Sequence, residues 1–354
     1  MFAQEGLRIV QSSNTSSKGL EILKNRQKHL HEYKNINEEK KVDLTYDLSF
    51  LSFKESQNRI GIILLKEKWE ERVTTRVGGE CIGTFSTGDL LVVGNGKDTI
   101  LTIINSKGTV SHTYGQSWFR GNLHNPVSLA VNTDDQIIFL DGPTVKTFGS
   151  NCRLLRQFSP GKESGSKPTC LAVDENNLIA VGYKDKGEVS LHNPDGSLIR
   201  TLSAPGIDKY MIMNNQRIIY TSSSENVSMC ASVNGTNKCT VFLRFGNVTL
   251  YGICCDKVGD VYIIVNVDLS KCSPWFSQSD KGPFQRSYLQ WDNFARDDPS
   301  KNSTAKKHCI SRYRFGTDFK ILARSNDTFH DVTYTPNGHL AVVGENCTKL
   351  FQRV

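Results

Sequence analysis

The sequence predicts a mainly β protein, a six-bladed β-propeller preceded by an N-terminal helical coiled-coil stub. Three observations carry that prediction. First, an apolar strand closed by a polar residue recurs as "PVSLAVN" (Pro126 to Asn132), "PTCLAVD" (Pro168 to Asp174), "KYMIMN" (Lys209 to Asn214) and "YGICCD" (Tyr251 to Asp256), with closing residues spaced by 42, 40 and 42. Second, a further apolar strand follows each after a short turn, in six copies that begin at Asp89, Gln136, Asn177, Arg217, Asp260 and His339. Third, each unit goes on to a third strand, a turn and a fourth strand, except that the sixth ends in "CTKLFQRV" at its third. Four strands repeated at about 40 residues are the mark of radial blades, which remove the exposed-edge problem by closing a ring.

The elements follow in chain order. Residues 18–41 are polar, with Leu20, Leu23 and Leu30 forming a narrow apolar stripe, so a helix is expected over the 1–41 segment. Gln27 interrupts the stripe, and two readings stay open: a stub of a coiled coil that pairs two copies of the chain, or a lone helix packed on the rest of the protein. A linker over 42–71 carries a short strand, because Val42, Leu44, Tyr46, Leu48 and Phe50 alternate. The propeller is expected over 72–354. "RVTTRVGG" (Arg72 to Gly79) has the form of a fourth strand with a glycine exit. It is predicted to supply the strand that the sixth unit lacks, through Val73 to Val77. The inter-strand turns "NSKG", "GSN", "NPDG", "VNGT" and "FGTD" are rich in Gly, Asn and Asp, the residues that tolerate positive φ. A long insertion, 271–307, interrupts the fifth unit after its second strand.

Composition sets outer limits. The chain has 354 residues, 38% hydrophobic and 22% charged, which suits a packed core. A net charge of +7 permits an anionic partner without demanding one. No run has the length and apolarity of a membrane helix. The start lacks the basic cap and apolar block of a signal peptide, so a cytoplasmic protein with no membrane partner is expected. The ten cysteines include no CxxC pair and are expected to be buried free thiols. Seven N-x-S/T sequons, at Asn14, Asn226, Asn234, Asn247, Asn302, Asn326 and Asn346, point the other way and would be glycosylation sites in a secreted protein.

The "P-x-x-L-A-V-[DN]…[IL]…G" core of the second and third units resembles the NHL repeat. With the helical segment and the "VDLTYDLSFLSFKESQNRIG" link in front, the chain resembles the C-terminal portion of tripartite-motif proteins of the NHL subclass. Such proteins carry a RING and B-boxes ahead of the coiled coil, and the RING makes them ubiquitin ligases. The zinc-ligand arrays of those modules are missing from this sequence, so ligase chemistry is not assigned to it. The resemblance implies a recognition domain.

Candidate chemistry points to binding. Calcium-dependent propeller hydrolases and lactonases need several acids along the central channel. The inner strands here are mostly Val, Leu, Ala, Met, Ile and Cys, with Asp331 the one clear acid. No catalytic or metal-ligating set emerges, and no cofactor is expected. Fourth-to-first and second-to-third strand connections open on one face of a propeller. They carry Trp118, Phe119 and Arg120, then Lys184 and Lys186, and from the insertion Trp275, Arg286, Trp291 and Arg296. Aromatics beside cations suit a protein partner such as a ubiquitylation substrate, or RNA. Alternatively, the insertion's aromatics pack on its own loop and its charges are merely solvated. Three functions compete: an interaction scaffold, an RNA-binding propeller of post-transcriptional regulation, and a propeller enzyme.

Overall fold

The computed structural model describes residues 51–54, 62–65, 69–94, 101–115, 123–124, 126–161, 166–214, 217–224, 227–233, 239–246, 248–267, 307–314 and 318–354. The chain divides into two compact units, Met1–Glu67 and Lys68–Val354. In the first, β1 (Leu51–Lys54) and β2 (Ile62–Leu65) form an antiparallel pair. The helix expected within 1–41 and the alternating strand at 42–50 lie outside the described residues, and none of the described residues is helical.

The second unit is a β-propeller. It opens with β3 (Trp69–Thr75). The first blade is β4 (Cys81–Thr84), β5 (Leu90–Val93), β6 (Leu101–Ile104) and β7 (Val110–Tyr114). The second is β8 (Pro126–Val131), β9 (Ile137–Asp141), β10 (Thr144–Phe148) and β11 (Leu154–Phe158). The third is β12 (Cys170–Val173), β13 (Ile179–Tyr183), β14 (Glu188–His192) and β15 (Leu198–Ser203). The fourth is β16 (Ile207–Asn214), β17 (Arg217–Ser224), β18 (Val227–Val233) and β19 (Cys239–Gly246). The fifth is β20 (Val248–Cys255), β21 (Val261–Val267), β22 (Lys307–Arg314) and β23 (Asp318–Ser325). The sixth is β24 (Phe329–Tyr334), β25 (Leu340–Gly344) and β26 (Thr348–Arg353), completed by β3. Every sheet is an antiparallel meander, and the inner strands touch in cyclic order from β4 through β8, β12, β16, β20 and β24 back to β4.

The clasp is where the sequence places it, with different ends. β3 pairs with β26 from Trp69 opposite Arg353 to Thr75 opposite Thr348, so the ring uses Trp69 to Glu71 from the stretch read as linker. The reason is packing. Trp69 is buried in the cluster that joins the fifth and sixth blades and meets Tyr262 edge-on at 6.0 Å. Beyond β3, Thr348 Oγ1 donates to Val77 O (2.7 Å), and Gly78 leaves no room for a Cβ against Glu345 O.

Burial explains the strand pattern. Second strands such as "LLVV" and "IIFLD" are buried at every residue because neighbouring blades cover both faces. Outer strands are mostly exposed, with Leu198 and Ile199 on the surface.

The closing polar residues prove structural. Asn132, Asp174 and Asp256 each end an inner strand and start the same tight turn, in which their N–H bonds to the carbonyl four residues on and the residue three on, at positive φ, bonds back, while Asn214 stands opposite Arg217 in its ladder. Asn132, Asp174 and Asp256 each accept two further backbone N–H bonds through Oδ1, fixing the turn. The positive-φ residues also link blades: Asp135 accepts from Ser86, and Asn177 from Thr133.

Candidate functional site

Counting back from the closing residues Phe85, Asn132, Asp174, Asn214, Asp256 and Thr335 gives equivalent positions in all six inner strands. Four residues back stand Cys81, Ser128, Cys170, Tyr210, Gly252 and Asp331. Five back stand Glu80, Val127, Thr169, Lys209, Tyr251 and His330. Both layers lie at the strand starts, on the face where fourth-to-first and second-to-third connections open. The five-back layer forms the mouth of the central channel.

The inner layer ties blades together. Ser128 Oγ accepts from Leu171 N–H at 3.2 Å, and Cys81 Sγ donates to Val127 O at 3.9 Å. Asp331 makes the same forward link from the sixth blade to the first: Oδ2 accepts from Ile82 N–H at 3.1 Å, while Oδ1 accepts from its neighbour Val332 at 2.9 Å. The fifth blade crowds in on the other side, where a Cβ on Gly252 would lie 2.4 Å from Asp331 Cα. Asp331 is half-buried by surface area, and its carboxyl lies deep among protein atoms. That burial pushes its pKa up to about 7, against the lowering pull of the two N–H bonds and Lys209, with Glu80 adding to the rise. Burial likewise raises the Cys81 and Tyr210 pKa values far beyond their usual range.

The mouth layer is polar on one side. Lys209 of the fourth blade and Glu80 of the first lie three blades apart in a ring of six, on opposite sides of the axis. Yet Lys209 Nζ is 3.3 Å from Glu80 Oε2, so this ion pair spans the mouth. The same ammonium lies 5.3 Å from the ring centre of Tyr210. His330 Nδ1 is 3.1 Å from Gly79 O, which can only accept, so that nitrogen carries the proton; it is also 3.4 Å from Glu80 Oε1. Tyr251 stacks on His330 at 6.4 Å. Beta-bulges set these side chains. Ladder register breaks between Ile207 and Met211, between Leu250 and Ile253, and between Phe329 and Asp331, which takes Lys209, Tyr210, Tyr251 and His330 out of regular pairing. A bulge re-aims a side chain that regular pleating would turn the other way.

Of the residues singled out in the sequence, Lys184 and Lys186 lie exposed in the β13–β14 turn on this face. Lys184 is already engaged, 2.8 Å from Asp208, which raises its pKa. Trp118, Phe119, Arg120, Trp275, Arg286, Trp291 and Arg296 lie outside the described residues. The loop that carries the first three is anchored at His124, whose N–H donates to Asp141 at 3.0 Å, and Asp141 forms a buried ion pair with Lys146. The insertion leaves from β21 and returns at β22, which pair over seven residues.

Sequence reasoning missed Glu80, Lys209, Tyr210, Tyr251 and His330. Aligning the six copies on their closing residues puts Glu80, Lys209, Tyr251 and His330 in one variable column and Tyr210 in the next. On the opposite face a shallow cavity of about 270 Å³ is lined by Thr84, Ser86, Asn132, Thr133, Glu175 and Pro336 among others. The hydroxyls of Ser86 and Thr133 are bonded to the next blade, so we place the site at the mouth and not in this cavity. Among the described residues no group of three or more His, Cys, Asp or Glu side chains is placed to hold a metal ion. The described cysteines are free thiols, most of them buried. No described helix is long and apolar enough to cross a membrane.

Comparison with known proteins agrees with the fold. No protein-family model and no curated protein sequence matches the chain. Among solved structures, the virginiamycin B lyase of Staphylococcus aureus is similar with a TM-score of 0.52 at 8% identity, covering 81% of this chain and all of the lyase. A streptogramin B lyase gives 0.49 at 10% identity, covering 81% of this chain and 98% of its own. BBS1N, in its complex with ARL6DN, gives 0.45 at 11% identity, covering 81% and 97%. At such identities the likeness to the Staphylococcus enzyme establishes a β-propeller and no activity.

Proposed function

We propose that this chain is a non-catalytic interaction scaffold that holds a protein partner on the face around the channel mouth. It would act in the cytoplasm as the substrate-recognition portion of a tripartite-motif ligase-like protein of the NHL subclass, with N-terminal helices joining two copies. The observation that supports a scaffold over a channel enzyme is the Lys209–Glu80 pair across the mouth. A small substrate has only its own few contacts with which to displace that pair, whereas a polypeptide docks on the surrounding loops as well.

A photo-crosslinking residue placed at Lys186, on the mouth face, is compared with one at Val258, 79% exposed in a turn of the opposite face. Discrete protein adducts from position 186 that survive ribonuclease, and none from 258, are expected. Adducts abolished by ribonuclease would support the RNA-binding reading instead. Protein adducts from 258 alone would overturn the face assignment.

A further inference from the structure

The mouth holds chemistry that a flat docking face does not need. The ammonium of Lys209 lies against the Glu80 carboxylate and the Tyr210 ring, with Asp331 and Tyr251 at equivalent inner-strand positions of the neighbouring blades. Contacts chain these groups together: Lys209 lies 3.3 Å from Glu80, Glu80 lies 3.4 Å from His330, and Tyr251 stacks on His330. The same register break opens four of the inner strands, at Val127, at Lys209 with Tyr210, at Tyr251 and at His330, and in the fourth, fifth and sixth blades in a row it falls on polar or aromatic side chains.

We propose that this mouth is a recognition pocket for a cationic side chain, lysine or arginine, of a protein partner, and that Lys209 is its resident stand-in. The proposal rests on the reading that this face binds a protein. Lys209 is held loosely. Its side chain is 45% exposed, its ion pair to Glu80 is 3.3 Å long, and a pair of this kind contributes little at a surface. A swing of its flexible stem frees Glu80 and the Tyr210 ring together. Asp331 has capacity left, because a carboxylate offers about four lone-pair directions and two backbone N–H groups use only two. Among the described residues no cation forms an ion pair with it, and an inserted ammonium or guanidinium would supply one and favour the charged carboxylate. Tyrosine faces attract such cations, and guanidinium stacks on them as well. An anion is disfavoured here, since Lys209 is already neutralised and both carboxyl groups would repel the newcomer.

The test uses the full chain labelled with fluorotyrosine and three probes: acetyl-Gly-Arg-Gly-amide, acetyl-Gly-Lys-Gly-amide and acetyl-Gly-Glu-Gly-amide. Fluorine spectra follow each titration. Lys209→Ala removes the stand-in and should tighten both cationic peptides by about fivefold or more, the ratio expected when a cation–aromatic contact becomes available, and leave the Glu peptide without effect. Adding Glu80→Gln to Lys209→Ala should reverse the gain. Adding Asp331→Asn as well should abolish binding, and the double variant carries the test if the triple one does not fold. Unchanged or weaker binding of the cationic peptides by Lys209→Ala overturns the proposal. So does a gain that survives Glu80→Gln, or a preference for the Glu peptide. Should that happen while position 186 still yields protein adducts, the pocket falls and the docking face stands.

Discussion

Replacing Trp69 by alanine tests how the ring is closed. Trp69 is 7% exposed and belongs to the cluster of Tyr262, Ile264, Phe329, Leu340, Val342 and Phe351, which seals the fifth blade to the sixth. The indole also stands edge-on to Tyr262. Truncating a buried aromatic loses its transfer energy and leaves a cavity, together about 3–5 kcal/mol. At about 2–4 °C per kcal/mol for a domain of this size, the midpoint should fall by roughly 6–20 °C. Arg72, exposed on the same strand, serves as control, and its replacement by alanine should change stability by about 0.5 kcal/mol at most. The assay is urea unfolding followed by far-ultraviolet circular dichroism, with thermal melts alongside. A loss for Trp69→Ala of less than about 1 kcal/mol would refute the reasoning, because the strand would then add nothing to closure beyond what its ladder bonds supply.

Two further outcomes follow from the inner layer. The folded Asp331 holds its proton up to about pH 7, whereas an unfolded aspartate releases it near pH 4. The folded state therefore binds the extra proton between those values, and stability should fall as pH rises from about 4 to about 7 and level off above, a slope that Asp331→Asn removes. An unchanged slope in that variant would place the titration elsewhere. Gly252→Ala should cost about 1–3 kcal/mol, since its Cβ would meet the Asp331 backbone at 2.4 Å and the inner strands of the fifth and sixth blades would have to separate. A neutral effect in denaturant melts would show that the strands have slack.

Much of the ring is legible in the sequence because its repeat is mechanical. Asn132, Asp174 and Asp256 must end a strand and start a turn, so residue type and spacing report the blade directly. The missing fourth strand after Val354 likewise points to the segment near Val73. The ends of that strand are less legible, because burial of Trp69 against Tyr262 decides them, and that contact joins residues about 190 apart in sequence. The mouth is illegible for a different reason. Glu80, Lys209, Tyr251 and His330 share a position in the repeat but no chemistry, so nothing in the residue types marks it. Bulges that depend on local backbone geometry bring them together, and the pair that crosses the axis joins residues 129 apart.

The most direct test of the central claim, that recognition happens at the channel mouth, is amide hydrogen exchange on the chain with and without the partner captured at position 186. Binding should slow exchange in the segments 79–82, 207–211, 249–252 and 329–332, and leave the turns at 85–89, 132–136, 174–178 and 335–339 unchanged. Protection of those turns with an unchanged mouth would contradict the account and move the binding face to the opposite side of the ring.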